Sequence, residues 1–239
     1  MEDIKTTTEV AEILTDKSTS VVQENQTIVV EDDSAPELDY HVIASGSSGN
    51  AVRIGSVMID CGIPFSKMKE DLYQCDTLLI THVHTDHLRK DTFEHIRKEF
   101  PRIKVYANAD VAYRVQVDKV IGVKEFSIGK KRTVIPFDCH HDALCTGFII
   151  RMPGCDVLYA TDTNRIDDID IPLDYVFLES NYDAGKLKEL RRQFSTKGYD
   201  PLDSSFRHLS TQRCKEFYYV NRRNKNSILV ELHKSSRFY

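Results

Sequence analysis

The chain has 239 residues, 41% of them hydrophobic, and a formal net charge of −5 at pH 7. No apolar run approaches the ~20 residues of a transmembrane helix, and the first residues lack the basic-then-apolar layout of a secretory signal, so we expect neither a membrane span nor export. The six cysteines form no CxxC pair and no dense framework, which predicts reduced thiols in a cytoplasmic protein rather than a disulfide scaffold.

Charge is distributed unevenly along the chain. Residues 1–38 carry ten acidic and two basic side chains, whereas residues 183–239 carry thirteen basic and six acidic ones. The first segment predicts a flexible acidic arm, although its short apolar pieces could dock elsewhere, and residues 39–239 predict one domain. The basic C-terminal end suits an anionic substrate, but by itself such charge is more often a solvated helix face.

From Tyr40 the pattern predicts short strands and helices. HVIASGSSGNAVRIGSVMIDCG indicates strands separated by Gly/Ser turns. FSKMKEDLYQ predicts a helix with Phe65, Met68 and Leu72 on one face, and TLLI predicts a buried strand.

The next helix, DTFEHIRKEF, is predicted to open with a capping box and to end before Pro101; the box pairs Asp91 with Glu94. Further strands are predicted for KVYANAD, KRTVIPF, GFIIRM, DVLYATD, DYVFLES and SILVELH, and helices for KLKELRRQF and TQRCKEFYYVNRR. Strands in both halves with helices between them favour an α/β fold of two packed sheets covered by helices.

The strand TLLI runs straight into THVHTDHL, which holds His82, His84, Asp86 and His87. Residues two apart on an extended chain point the same way, so His82 and His84 could bind one metal ion. Asp86 and His87, where the chain enters a helix, can turn toward a second ion. Imidazoles with a carboxylate suit Zn²⁺, with Mn²⁺ or Fe as alternatives. A surface histidine cluster without a metal is the competing interpretation.

Three further candidate ligands stand at the ends of predicted strands. They are His141 in FDCHHDALCTGF, Asp162 in LYATDTN and His233 in LVELHKSSRF. Strand ends present side chains to a common edge, so we expect these residues to converge on the first cluster, where Asp162 could bridge two cations. His140 is expected to be structural, because adjacent residues on an extended chain point apart.

The order HxHxDH, His, Asp, His resembles the metal ligands of metallo-β-lactamase-fold hydrolases. The resemblance covers the body from about residue 39 and implies an αββα four-layer sandwich. It also implies two metal ions with Asp162 between them, the first held by His82, His84 and His141 and the second by Asp86, His87 and His233. Asp60 in VMIDCG matches a supporting aspartate of the family.

Further motifs narrow the resemblance to one branch. SGSSGNA, HHDA, TDT, ESNYD and HLS are similar to the WalJ (YycJ) type, whose characterised members are DNA exonucleases, and the C-terminal part resembles ribonuclease Z. HLST implies that His208 takes part in phosphodiester cleavage as a proton donor, with Glu179 as its acidic partner and Asp86 also counted as catalytic. The chain departs from the pattern at Arg207, where relatives often have glycine.

HKSSRF implies substrate-phosphate contacts from the three residues after Lys234, namely Ser235, Ser236 and Arg237.

The predicted function is a metal-dependent phosphodiesterase, specifically a nuclease that hydrolyses DNA or RNA with water activated by two metal ions. A hydrolase of small phosphodiesters such as cyclic nucleotides, and a thioester or lactam hydrolase, are the alternatives. The expected cofactors are two divalent ions, Zn or Mn, without an organic cofactor. The expected partner is nucleic acid and not a membrane, and the oligomeric state is open, a homodimer being one option.

Overall fold

The computed structural model of the protein describes residues 36–167, 169–194 and 203–235. Residues 1–35 of the predicted acidic arm lie outside this part of the chain, so its boundary at residue 38 stays a prediction. The first described contacts with the body already involve the end of that segment. Leu38 packs against the core, and the Tyr175 hydroxyl donates a hydrogen bond of 2.9 Å to the Pro36 carbonyl.

The described residues contain strands, α-helices and one short 3₁₀ helix, Asp203–Arg207. The strands are β1 (Tyr40–Ala44), β2 (Ala51–Ile54), β3 (Val57–Ile59), β4 (Thr77–Ile80), β5 (Lys104–Ala107), β6 (Lys119–Val120), β7 (Phe126–Ile128), β8 (Arg132–Cys139), β9 (Cys145–Met152), β10 (Cys155–Ala160), β11 (Tyr175–Glu179) and β12 (Ile228–Leu232). The helices are α1 (Phe65–Leu72), α2 (Lys90–Glu99), α3 (Ala109–Arg114), α4 (Ala184–Phe194) and α5 (Thr211–Asn221).

The strands form two mixed sheets, ordered β1-β2-β3-β4-β5-β6 and β12-β11-β10-β9-β8-β7. Strands β3 to β6 are parallel to one another, and so are β10 to β12, whereas β3 is antiparallel to β2 and β10 is antiparallel to β9. The register sets Ala160 beside Leu178 and Glu179 beside Leu232. The C-terminal ends of β10, β11 and β12 therefore reach the same edge.

Alternation along the strands produces the layers. In β10, Val157 and Tyr159 pack into the apolar cluster between the sheets, while Leu158 and Ala160 face the cluster that contains residues of α5. Strand β4 alternates in the same way, because Leu79 joins the layer between the sheets and its neighbours pack with residues of α1 and α2. The order helix, sheet, sheet, helix confirms the predicted four-layer sandwich.

Two local predictions are wrong. The N-cap of α2 is Arg89, no side chain caps this helix, and Arg89 Nε instead donates to the Asp91 carboxylate at 2.8 Å, so the predicted capping box is not formed. Asp86 and His87 lie in a turn before Lys90 rather than at the entry of the helix, with His87 N donating to the His84 carbonyl at 2.9 Å.

None of the helices in the described ranges is both long and apolar enough to cross a bilayer. All six cysteines lie in these ranges and are free thiols, five of them buried. Burial raises the pKa of Cys214 to about 12, which keeps this thiol protonated.

One glycine fixes the turn that carries Asp86. A Cβ added at Gly62 would lie 1.7 Å from the Asp86 carbonyl oxygen and 2.7 Å from His87 N, whereas one added at Gly122 would meet nothing within 4 Å. We expect Gly62→Ala to displace the turn and to lower the free energy of unfolding by about 3 kcal/mol, the upper end of overpacking costs. Urea unfolding would measure the loss. Gly122→Ala is the control, and equal midpoints for the two variants would contradict the prediction.

Candidate metal centre

The predicted site residues meet at the C-terminal edge of the parallel strands. His82 follows β4, Asp162 follows β10, and His233 follows β12 directly. Glu179 is the last residue of β11. All four are buried. The convergence expected from the strand ends is therefore observed, while the role of each residue as a ligand stays a prediction.

The first group of candidate ligands consists of His82, His84 and His141. His82 Nε2 lies 3.1 Å from His84 Nδ1, and His141 Nε2 lies 3.3 Å from the same atom. His82 Nε2 is also 3.5 Å from Asp162 Oδ2. A tetrahedral ion with bonds of about 2.0–2.1 Å needs donor atoms about 3.3 Å apart. The spacing of these nitrogen atoms therefore fits one cation.

The second group consists of Asp86, His87, Asp162 and His233. Asp162 Oδ2 is 2.6 Å from His87 Nε2, and its other oxygen is 3.3 Å from His233 Nε2. Asp86 Oδ2 lies 3.7 Å from His87 Nε2. Asp162 thus faces both groups, which is the position required of a bridging carboxylate.

A third group competes for the late histidines. Asp162, Glu179, His208 and His233 also place donor atoms close enough to hold a metal ion. His208 Nδ1 is 2.6 Å from Glu179 Oε1 and 3.4 Å from Asp162 Oδ1. The same Glu179 oxygen accepts from His233 Nδ1 at 3.0 Å. Geometry alone therefore allows either His208 or His233 to be the seventh ligand.

Hydrogen bonds from the outer ring nitrogens orient several candidate ligands. His87 Nδ1 contacts Asp60 Oδ2 at 2.7 Å, and Asp60 also accepts from the Thr81 backbone N–H at 2.8 Å. His82 Nδ1 lies 3.0 Å from the Thr81 hydroxyl. Such partners fix the tautomer so that the other nitrogen can bind metal. Asp60 accordingly has the supporting position expected from the sequence.

Burial and charge set the protonation of the two histidines at the centre. Burial, reinforced by the neighbouring His87, lowers the pKa of His82 to about 2, so its ring is neutral, as a metal ligand must be. Burial also opposes the charge on His87, but Asp60 and Asp162 outweigh it and raise its pKa to about 10. A proton on His87 supplies the positive charge that the buried carboxylates require when no cation is bound.

Burial and hydrogen bonding also determine the protonation of His208 and Glu179. Burial opposes the charged form of His208, but its hydrogen bond to Glu179 outweighs burial and raises the pKa of the imidazole. Burial likewise disfavours the Glu179 carboxylate, but the hydrogen bonds from His208 and His233 hold its pKa below the usual value. His208 and Glu179 therefore form an ion pair.

Two buried atoms that face each other in the pocket, 3.3 Å apart, suit a cation site. Asp162 Oδ1 and His233 Nε2 are buried and have no hydrogen-bond partner among the described residues. Leaving such atoms unpaired costs free energy, and a divalent cation coordinated by both would offset this cost. The donor chemistry, imidazole and carboxylate, suits Zn²⁺ or Mn²⁺.

Backbone conformation at the strand ends is unusual. Asp60, Asp162 and His233 have φ angles of 62°, 53° and 52°, in the left-handed region, and Lys131 is the one other such non-glycine residue in the described part of the chain. Three of the four thus belong to this site. Left-handed residues that cluster at a site are typical of functional constraint.

The predicted substrate-binding residues and His140 lie outside the groups of candidate ligands or outside the described residues. Ser235 N donates to the Asn181 carbonyl at 3.0 Å just beyond His233, while Ser236 and Arg237 lie outside the described residues. Their predicted phosphate contacts stay predictions. His140 turns away from the candidate ligands and pairs with Asp167 at 3.0 Å, as expected for a structural residue.

Sequence reasoning missed several residues that hold the site. Asn181 donates to the His233 carbonyl at 2.9 Å, and Asn50 Nδ2 lies 2.9 Å from His87 Nε2. Asp142 lies 3.0 Å from His141 Nε2 and pairs with Arg207 at 2.7 Å. The adjacency of Asp142 to His141 was a usable signal, but the pairing with Arg207, 65 residues away, was not.

A sequence profile of the beta-lactamase superfamily domain matches residues 56–184, more than half of the chain. Fold and site together define a metallo-β-lactamase-fold hydrolase. The chain belongs to the beta-lactamase superfamily. A comparison with curated proteins gives no match.

Solved structures similar to the chain have the same fold. The metallo-beta-lactamase fold protein YhfI from Bacillus subtilis is 17% identical, with a TM-score of 0.61 over 82% of this chain and 85% of that one. Human tRNase Z, short form, is 14% identical, with a TM-score of 0.62 over 83% and 93%. A diphosphatase from the PhnP family is 17% identical, with a TM-score of 0.58 over 82% and 86%.

Proposed function

We propose that the protein is a metal-dependent phosphodiesterase and, within that class, a nuclease that hydrolyses DNA or RNA. The observation that carries the proposal is the pair of His208 and Glu179, 2.6 Å apart and adjacent to Asp162. The bond fixes Nδ1 of His208 and leaves Nε2 to donate a proton. A nucleotide hydroxyl is a poor leaving group without protonation, so the pair suits this substrate class.

The candidate ligands would hold two divalent ions on either side of Asp162. His82, His84 and His141 would hold the first, and Asp86, His87 and His233 the second. When bound, two such ions supply a polarised phosphate and a water molecule of lowered pKa. Asp60 and Glu179 keep the rings of His87 and His233 oriented through their Nδ1 atoms.

His208 would act on the leaving group. As the phosphorus–oxygen bond to the leaving nucleoside breaks, the departing oxygen takes the proton from Nε2 of His208. Glu179 stabilises the charged imidazole beforehand, and its other oxygen is fixed by the Thr163 N–H at 2.9 Å. The side chain of His208 is 19% exposed, so a substrate can reach it from the solvent side.

Two further observations support a phosphodiester. Human tRNase Z and the PhnP-family diphosphatase carry names that denote hydrolysis at phosphorus. Residues 183–239 of this chain, which include His208 and His233, carry thirteen basic and six acidic side chains. One of these basic residues, Arg207, lines a cleft together with the candidate ligand His141, where its charge attracts a polyanion and raises its rate of association.

The test is a substrate panel with the full chain loaded with Zn²⁺ or Mn²⁺. Labelled single- and double-stranded DNA, RNA, cyclic nucleotides, a thioester and a lactam would be incubated in parallel. We expect cleavage of DNA or RNA. Cleavage of cyclic nucleotides alone would replace the nuclease by a small-molecule phosphodiesterase, and hydrolysis confined to the thioester or lactam would overturn the proposal.

Contaminating nucleases are the main source of false activity in such a panel. Asp162→Asn, purified in the same way, should lose the activity. Asp167→Asn should keep it, because the Asp167 side chain is 70% exposed and lies away from the candidate ligands, paired with His140. Equal activity in both variants would mean that the cleavage does not come from this site.

A further inference from the structure

An ion pair lies at the mouth of the metal centre. Arg207 Nη1 donates to Asp142 Oδ2 at 2.7 Å, and the two side chains are 56% and 42% exposed. Arg207 immediately precedes His208, and Asp142 immediately follows His141. The pair therefore joins the loop of the proposed proton donor to the loop of a candidate ligand.

A cleft of about 300 Å³ opens at this pair. It is lined by His140, His141, Asp142, Asn164 and Arg207. The candidate ligand His141 is part of this lining, and among the described residues that line the cleft Arg207 is the one arginine or lysine. An anion that enters the cleft would meet this guanidinium next to the scissile position.

The distance of Arg207 from the centre allows it to reach a neighbouring phosphate. Asp142 Oδ1 lies 3.0 Å from His141 Nε2, and Asp142 Oδ2 lies 2.7 Å from Arg207 Nη1. Because the two oxygens share one carbon, the guanidinium nitrogen can be at most roughly 8 Å from the ligand nitrogen. Successive phosphates of one strand are about 3.4 Å apart along a duplex axis and farther apart when the strand is extended. The guanidinium of Arg207 is therefore close enough to His141 to contact the phosphate one nucleotide away from a phosphate bound at the metal centre.

A second cleft, of about 440 Å³, includes Arg165, the residue that follows Asn164 of the first cleft. Arg165 and Arg213 line it, with Leu209 and Phe217 as apolar walls and Glu216 as the opposing charge. Arg213 Nη1 donates to the Asn164 carbonyl at 3.3 Å, so its side chain lies beside the first cleft. The two clefts thus lie side by side and together are lined by three arginines, which suits a polymer more than a cyclic nucleotide.

We propose that Arg207 binds the phosphate adjacent to the one that is hydrolysed, and that Asp142 holds the guanidinium over the cleft until this phosphate replaces it. The inference rests on the proposed nuclease function. A guanidinium offers five N–H donors in a fixed fork that matches two phosphate oxygens, and the pair with Asp142 uses one of them. Arg207 is then a positioning residue that makes the site prefer chains over isolated diesters.

The test adds one phosphate and nothing else to a minimal substrate. The dinucleoside monophosphates TpT and UpU would be compared with the same compounds carrying a terminal phosphate at the 5′ or the 3′ end. In the wild type we expect the added phosphate at one end to raise kcat/KM about five- to tenfold at low salt, since one exposed charge-assisted contact is worth about this much. The gain should shrink as the salt concentration rises.

Variants then assign the gain to Arg207. Arg207→Ala should reduce it to less than about twofold, and Arg207→Lys should keep part of it, because lysine is a point charge without the fork. Arg151→Ala is the matched control. Arg151 is 45% exposed and pairs with Asp156 at 3.8 Å near the far end of β9, and its variant should keep the full gain. For each variant the gain is the ratio of its kcat/KM values with and without the added phosphate. A general loss of activity lowers both values and leaves the ratio unchanged.

The outcomes separate the inference from the function on which it rests. A full gain in Arg207→Ala, or equal turnover of all compounds by the wild type, overturns the role of Arg207 and leaves the nuclease intact. Cleavage of DNA or RNA by the wild type without turnover of any of these short compounds overturns the role of Arg207 alone. Failure to cleave DNA and RNA as well overturns the proposed function and the inference with it. Should Arg207→Ala be inactive on every compound, Arg207→Gln, which keeps most of the side chain, gives the deciding ratio.

Discussion

Replacing Asp162 by asparagine should remove metal from the protein and abolish its activity. Asp162 faces both groups of candidate ligands, at 3.5 Å from His82 Nε2, 2.6 Å from His87 Nε2 and 3.3 Å from His233 Nε2. Asparagine tolerates the left-handed backbone at this position, so the fold should survive while the bridging charge is lost. Metal ions contribute several kcal/mol to such reactions, and about 4 kcal/mol corresponds to a ~10³-fold loss in kcat/KM.

Elemental analysis of protein purified without chelators is the direct measurement. The wild type should hold close to two equivalents of metal, and Asp162→Asn one equivalent or less. Asp167→Asn serves as the control, since it removes an exposed carboxylate five residues away. A variant at Asp162 that keeps two equivalents, or a wild type with less than one and no sensitivity to chelators, would show that the two-metal centre is wrong.

Replacing His208 by alanine should slow cleavage of nucleic acid ~10²–10⁴-fold, the usual contribution of a general acid. The loss should be much smaller for bis(4-nitrophenyl) phosphate, because nitrophenolate leaves without being protonated. Metal content should stay at the wild-type level. His95→Ala is the matched control, since His95 is an exposed histidine on α2 whose Nδ1 lies 2.7 Å from the Asp91 carbonyl oxygen.

His233→Ala resolves which late histidine binds metal. Both rings contact Glu179 Oε1 through Nδ1, so their environments are alike in the structure. If His233 is the ligand, its loss should weaken the second metal and reduce turnover of both substrates by a similar factor. Metal loss in His208→Ala together with full occupancy in His233→Ala would exchange the two roles.

Much of the fold and of the candidate site was predictable because local patterns and tertiary structure agree. Strand β4 alternates its side chains between two apolar layers and runs directly into the histidine motif. The ends of parallel strands lie on one edge, which is why Asp162 and His233 could be placed with the motif from strand positions alone. His141 lies with His82 and His84 while His140 does not, as expected if adjacent residues on an extended chain point apart.

Other features depend on contacts that no local pattern records. The N-cap position of α2 is Arg89, which pairs with Asp91 and makes no capping hydrogen bond, although the sequence favoured a capping box from Asp91 itself. Strands β6 and β7 are two and three residues long, too short for a periodicity to develop. The pairing of Asp142 with Arg207 joins two loops that are 65 residues apart, so it emerged only from the folded chain.

The left-handed backbone at Asp60, Asp162 and His233 places a stability–activity trade-off at the centre of the protein. Each such residue costs about 1–2 kcal/mol of backbone free energy, a large share of the ~5–15 kcal/mol by which a domain is stable. Glycine would relax the chain at the same positions and would remove the side chains on which the chemistry depends. The three residues at the strand ends thus provide side chains for the site while they lower the stability of the fold. Substitutions meant to stabilise the protein should therefore be made in its loops and on its surface.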